Sequence, residues 1–357
     1  SLWHHGARSA CSGVFAGTRE TVNSKTRFLA ALNGETPDRT PVAHVAALTT
    51  VELQKQTGCT MPSTHHDAES LVRLCYANHE SLGFDAVTFN INYFGEPAAL
   101  GSQMDWGDQT TYPSYGPPIW LDPEDARVPP DLLDRSPIST YLEATRLASR
   151  AYGDRVAVLA KVMGPLSMVQ ALHGVDRTMI DMIEAPTKIA LLLDRAIDIL
   201  VRCANAELEA GADAIAIGEG GAGGSMLSPQ MHERFLLAVH RRLIESIQGP
   251  TIMHICGDIT PRLGTLSQVG LDCFNFDWAI PPRVMVREAA GAFRLMGNIS
   301  TADLTLGPPD EVERQVFENL DAGVDIISPG CAISPLCPNA NLRSMVDAVI
   351  KWHVTRP

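Results

Sequence analysis

Short apolar runs rich in β-branched residues recur along the chain at 42–47, 86–91, 156–162, 214–217, 251–255, 273–276, 294–296 and 325–328, each bounded by glycine, proline or asparagine. Runs this short and this uniformly apolar predict strands covered on both faces, as in a parallel sheet. Between them lie stretches of helical periodicity. The longest, 186–210, puts Ile189, Leu192, Leu193, Ala196, Ile199 and Leu200 on one side of a helix. Others are expected at 229–247, 309–322 and 339–353. The joins Ala210-Gly211-Ala212-Asp213 and Ala322-Gly323-Val324-Asp325 close a helix on glycine and start a strand at once. Eight strand–helix alternations predict an α/β protein, a single (β/α)8 TIM-type barrel over 22–357 with an N-terminal helical extension. A doubly wound sheet is the weaker reading, because no G-x-G-x-x-G follows the first strand.

Three regions break the alternation. Residues 1–21, which include His4 and His5, lack periodicity and are expected to form an N-terminal arm. Residues 93–137 are rich in proline, glycine, aspartate and aromatics. Such a stretch after the second strand predicts an inserted loop or hairpin over the barrel mouth, the face on which barrel active sites sit. The glycine-rich stretch 218–224 predicts a tight loop whose backbone approaches a ligand. His65 and His66, just before a helix, are expected at the surface.

Charge narrows the functions. Lys plus Arg number 28 against 41 Asp plus Glu, a formal net charge of −13, which argues against nucleic acid or an anionic membrane as the main partner. No apolar run reaches the ~18 residues of a membrane-spanning helix. The first twenty residues lack the apolar core of a secretory signal, so a cytoplasmic location is expected. Eight cysteines in 357 residues are too few for a disulfide scaffold. Cys11, Cys59, Cys75, Cys203 and Cys273 are scattered and read as small buried hydrophobes.

Cys256, Cys331 and Cys337 read differently. Thr251-Ile-Met-His254-Ile-Cys256-Gly257-Asp258 is a strand that ends on a histidine and a cysteine two residues apart. Positions i and i+2 of a strand share a face, so imidazole and thiol point together into the barrel mouth. They make half of a zinc site. The missing ligand is expected from another strand end, and Asp325-Ile-Ile-Ser-Pro-Gly-Cys331 supplies one. Cys337, six residues further on, competes with it, but ligands at rigid element ends are better positioned. Three protein ligands leave a fourth position open, the pattern of a catalytic zinc. Two thiolates and an imidazole offset the ion's charge, so an incoming thiolate stays nucleophilic.

His254-Ile-Cys256-Gly257, Leu295-Met-Gly297-Asn298-Ile-Ser, Gly307-Pro-Pro and Asp321-Ala-Gly-Val-Asp-Ile-Ile-Ser-Pro-Gly-Cys331 resemble the uroporphyrinogen decarboxylase superfamily. Within it they are most similar to the zinc- and corrinoid-dependent methyltransferases of the methylcobalamin:coenzyme M type. Pro37-Asp-Arg-Thr-Pro41 and Gly164-Pro165-Leu extend the resemblance over most of the chain. It implies a (β/α)8 barrel with His254, Cys256 and Cys331 as zinc ligands. It implies methyl transfer between a corrinoid and a small thiol such as coenzyme M, or demethylation of a methoxyl or methylthio compound by Co(I). No corrinoid-binding D-x-H-x-x-G motif is present, so the corrinoid is expected free or on a separate corrinoid protein. The third reading, uroporphyrinogen decarboxylase, is weakened because residues 42–58 carry no arginine, only Lys55. Glu219 and Asp277, at strand ends, are the candidate catalytic acids. Lys161, Asn298 and Asp258 are the candidate substrate-side residues, Asp258 also as the acceptor that orients His254.

Overall fold

In the computed structural model, which describes residues 22–89 and 93–356, nine strands form: β1 (Ala86–Thr88), β2 (Met104–Asp105), β3 (Ser114–Tyr115), β4 (Ala157–Met163), β5 (Ala214–Gly218), β6 (Thr251–Ile255), β7 (Cys273–Phe276), β8 (Arg294–Ile299) and β9 (Ile326–Pro329). The expected arm at 1–21 lies outside the described residues, as do residues 90–92, which include the last two residues of the second expected strand. β1 and β4 to β9 make one parallel sheet in the order β1-β4-β5-β6-β7-β8-β9. Its helices wrap the outside in a TIM-type barrel. β2 and β3 pair antiparallel, Met104 opposite Tyr115, as the inserted hairpin. No described helix is long and apolar enough to cross a membrane.

The expected first strand is shorter than its apolar pattern suggests. Val42 makes a single parallel bridge to Ile327. Ile327 N donates to the Pro41 carbonyl at 2.9 Å, and Asp85 N donates to the Val42 carbonyl at 2.7 Å. This segment therefore closes the barrel between β9 and β1. Beyond it, carbonyls that would continue the ladder are taken by other groups. The Thr88 hydroxyl donates to His44 O at 3.0 Å, the Tyr93 hydroxyl to Val45 O at 2.7 Å, and Lys161 Nζ to Ala46 O at 2.9 Å. Ile333 N takes the Ala47 carbonyl at 2.9 Å. Each competing donor satisfies a backbone acceptor that a neighbouring strand would otherwise need to fill.

Small side chains fill the barrel interior: Ala43, Val45, Ala86, Ala157, Ala214 and Ala216 pack with Leu159, Ile252, Met296 and Ile326. Phe28 and Leu32 of the helix Ser24–Leu32 join that cluster from the end opposite the mouth. Asn23 caps this helix through Thr26 N. Arg27 Nη1 and Arg39 Nη1 clamp the fully buried Asp85 carboxylate at 2.7 and 2.9 Å, tying the helix and the 37–41 turn to β1. His65 corrects the surface expectation: it is buried, 3.4 Å from the Tyr141 hydroxyl, with its ring 5.3 Å from that of Trp106.

Candidate metal centre

The sheet register delivers the site. On β6, His254 stands between Gly218 of β5 and Asn275 of β7. Cys256 follows two residues on, just past the strand end. Cys331 arrives two residues after β9. His254 Nε2 lies 3.2 Å from Cys256 Sγ, and Cys256 Sγ lies 3.5 Å from Cys331 Sγ. All three donor atoms fall within 4.8 Å of one another, and among the described residues no other such group of His, Cys, Asp or Glu converges. Ligands on a tetrahedral zinc would stand roughly 3.6–3.8 Å apart, given its bond lengths. The two separations given are within a few tenths of an ångström of that. The donor set therefore fits a soft divalent cation.

The electrostatics agree. A hydrogen bond from Cys256 pulls the Cys331 thiol down to about 4 against the cost of burial, with His254 adding to the pull. Cys256 moves the other way, because it donates that bond and is itself buried. Burial opposes protonation of His254, but the hydrogen bond to Cys331 and its charge outweigh that and raise its pKa. Two sulfurs and an imidazole that share protons in this way are a place where a metal cation can replace them. His254 Nδ1 is 3.2 Å from the Asn275 carbonyl, an acceptor only, so Nδ1 donates and Nε2 faces the sulfurs.

Cys337 stays out. It is buried, and its thiol donates to the Leu304 carbonyl at 3.1 Å. Asp258 does not orient His254, which corrects the expectation. It is exposed and accepts from Thr260 N at 2.9 Å in its own turn, while the backbone carbonyl of Asn275 does the orienting. Glu219 is wholly buried beside the site rather than among the donors. It accepts from Ser167 N at 2.8 Å, Ser167 Oγ at 3.0 Å and Leu166 N at 3.3 Å, at the N-terminus of the helix Pro165–His173. His240 Nε2 holds it from behind at 3.2 Å. Asp277 accepts from Ala279 N at 2.8 Å, and its charge reaches both His254 and Cys256. Asn298 braces that loop, donating to Ile280 O at 2.7 Å and accepting from Asn319 at 3.0 Å.

A cavity of about 360 Å³ has the three donors in its wall. The rest of the wall is largely aromatic and apolar: Tyr93, Phe94, Tyr112, Tyr115, Met163, Val175 and four alanines. The sequence reading flagged the aromatic-rich insert that carries the rings but assigned none of them a role in the site. Tyr93 and Tyr112 spend their hydroxyls on the Val45 and Ile333 carbonyls, at 2.7 and 2.8 Å, and so present ring rather than hydroxyl. Gly218 makes this possible, since a Cβ there would stand 2.7 Å from the Tyr93 ring. Lys161 lies behind that wall, its Nζ 5.4 Å from the centre of the Tyr93 ring, and burial pushes its pKa down to about 7.

Comparison with known proteins extends these observations. The family model described as uroporphyrinogen decarboxylase (URO-D) matches residues 23–352. A methylcobamide:CoM methyltransferase, MtaA, of Methanosarcina barkeri is 31% identical over 92% of this chain and 98% of its own. A methylated-thiol–coenzyme M methyltransferase of Methanosarcina mazei is 29% identical over 92% of this chain and 90% of its own. A solved methyltransferase from Methanosarcina mazei superposes with a TM-score of 0.90 at 31% identity, covering 93% of this chain and 100% of that one.

Proposed function

Because the chain belongs to the uroporphyrinogen decarboxylase (URO-D) family, we propose, from its soft-donor cluster, that it is a zinc-dependent methyltransferase moving a methyl group between a corrinoid and a small sulfur or oxygen compound. One observation carries the reading: His254 Nε2, Cys256 Sγ and Cys331 Sγ converge in the wall of an open cavity at the barrel mouth. The names of the relatives, methyltransferases of corrinoids and of coenzyme M, support the same chemistry. Bound to these donors, zinc supplies a Lewis acid that favours the ionised form of a substrate thiol at neutral pH.

The chain's own residues supply the rest. Asn275 O fixes the ring of His254. Asp277 adds negative charge near the donors. The aromatic wall keeps water from the reacting sulfur, and low local polarity strengthens every charge interaction there. The corrinoid enters from solution or on a partner protein, with the cavity mouth as its approach. The direction in which methyl leaves a methoxyl or methylthio compound for Co(I) uses the same groups. Tetrapyrrole decarboxylation has less support, because no arginine or lysine among the described residues lines the cavity to hold carboxylates.

A methyl-transfer assay tests the reading, with methylcobalamin and Co(I)-cobalamin against thiols and methoxylated arenes. The native protein is expected to turn over, and His254→Ala and Cys256→Ala to lose at least about a thousandfold. Native rates in both variants would refute it.

A further inference from the structure

The relatives' names point to an anionic thiol, coenzyme M, yet the cavity of this chain is not built for an anion. We infer that the substrate held opposite the corrinoid is uncharged and aromatic: an arene carrying a sulfur or oxygen that gains or loses the methyl group. This rests on the methyl-transfer reading and names its substrate class.

The first observation is what the wall lacks. Apart from the donor His254, no cationic side chain among the described residues lines the cavity. The one buried lysine among the described residues, Lys161, does not line the cavity: its Nζ lies 5.4 Å from the centre of the Tyr93 ring and donates to the Ala46 carbonyl. Outside the donors, four of the wall's polar side chains, Tyr93, Tyr112, Ser167 and Gln170, spend hydrogen bonds on protein groups. Ser167 Oγ donates to Glu219 and accepts from Gly221 N at 2.9 Å, and Gln170 Nε2 donates to Gly221 O at 3.2 Å.

The second observation is that the helix end which could seat an anion is already filled. The first amides of Pro165–His173 are the kind of donors a substrate anion uses. The carboxylate of Glu219 takes them, at 2.8 Å from Ser167 N and 3.3 Å from Leu166 N. The other helix that starts at the rim, Val175–Glu184, carries Asp176 in its first turn, which repels an incoming negative charge. A sulfonate enclosed here would be desolvated without a partner, which is strongly unfavourable.

The third observation is what the wall offers. Phe94 and Tyr115 meet with ring centres 4.8 Å apart at 48°, and Tyr93 and Tyr112 line the same wall with their hydroxyls tied to backbone carbonyls. About 360 Å³ suits a one-ring guest with a short substituent reaching the donors. Tilted rings favour the edge and face contacts of another arene. In the demethylating direction, the C–X bond of Ar–X–CH3 breaks with its electron pair on X. The methyl carbon takes the pair of Co(I), giving methyl-Co(III), and ArX⁻ takes a proton from solvent. Running the same bonds in reverse methylates the thiol.

Calorimetric titration of the zinc-loaded protein tests this with matched neutral and anionic probes. Benzyl mercaptan is expected to bind at least about tenfold more tightly than coenzyme M, and 4-methoxytoluene at least about tenfold more tightly than 4-methoxybenzenesulfonate. Tyr115 is 37% exposed, so Tyr115→Ala should fold and is expected to lose about tenfold in affinity for the preferred neutral probe. Equal or tighter binding of the sulfonate in both pairs would overturn the inference, as would unchanged affinity in Tyr115→Ala. Selective binding of the neutral probes with no methyl transfer to or from any of them would remove the methyl-transfer reading and leave the selectivity standing.

Discussion

Cys331 and Cys337 lie six residues apart in one loop, and the fold gives them opposite chemistry. Cys331 faces the cavity beside a thiol and an imidazole, and its pKa falls to about 4. Cys337 is packed inside, donates to the Leu304 carbonyl, and burial pushes it up to about 12. Identity and spacing are nearly the same, so the neighbours decide the role. A cysteine becomes a ligand where a second soft donor and open space meet it, and a hydrophobe where apolar side chains and a single acceptor do.

The largest effect expected from this contrast is in thiol reactivity. In native, chelator-treated protein at pH 7, Cys331 is ionised and Cys337 protonated, so alkylation of Cys331 should be faster by at least about a thousandfold. The sign follows from the two pKa values: a depressed thiol is already thiolate above about pH 5, while a raised one is not at any neutral pH. Peptide mapping after timed iodoacetamide treatment reads the ratio, and comparable rates would break the contrast. Next in size, Glu219→Ala should destabilise by about 1–3 kcal/mol, because two buried amides and Ser167 Oγ lose their acceptor. Thermal or urea unfolding measures it. Cys337→Ala should cost about 1 kcal/mol in the same measurement and leave metal content unchanged. Asp258→Ala should be the mildest, about 0.5 kcal/mol, with metal affinity intact. A loss of metal there would restore Asp258 as the residue that orients His254.

Much of this was legible in the chain. The strands β4 to β9 of the barrel announce themselves as short apolar runs, since burial on both faces leaves few polar positions in each. The convergence of His254, Cys256 and Cys331 was legible because they sit at or just past strand ends, where period-two alternation fixes direction. The extent of the first strand was not legible. Residues 45–48 are as apolar as any strand, and it is donors from elsewhere in the chain, the side chains of Thr88, Tyr93 and Lys161 and the amide of Ile333, that take the carbonyls of 44–47. The orienting partner of His254 was hidden for a related reason: it is a backbone carbonyl on β7, and any residue type could supply it. The aromatic wall was hidden too, since Tyr93 and Tyr112 reach the cavity through an irregular insert whose path no periodicity encodes.

Zinc content per chain tests the central claim most directly. After zinc loading and exhaustive dialysis, elemental analysis should find about one zinc in the native protein and in Cys337→Ala, and close to none in Cys331→Ala. Full zinc retention in Cys331→Ala, or equal loss in Cys337→Ala, would contradict the account.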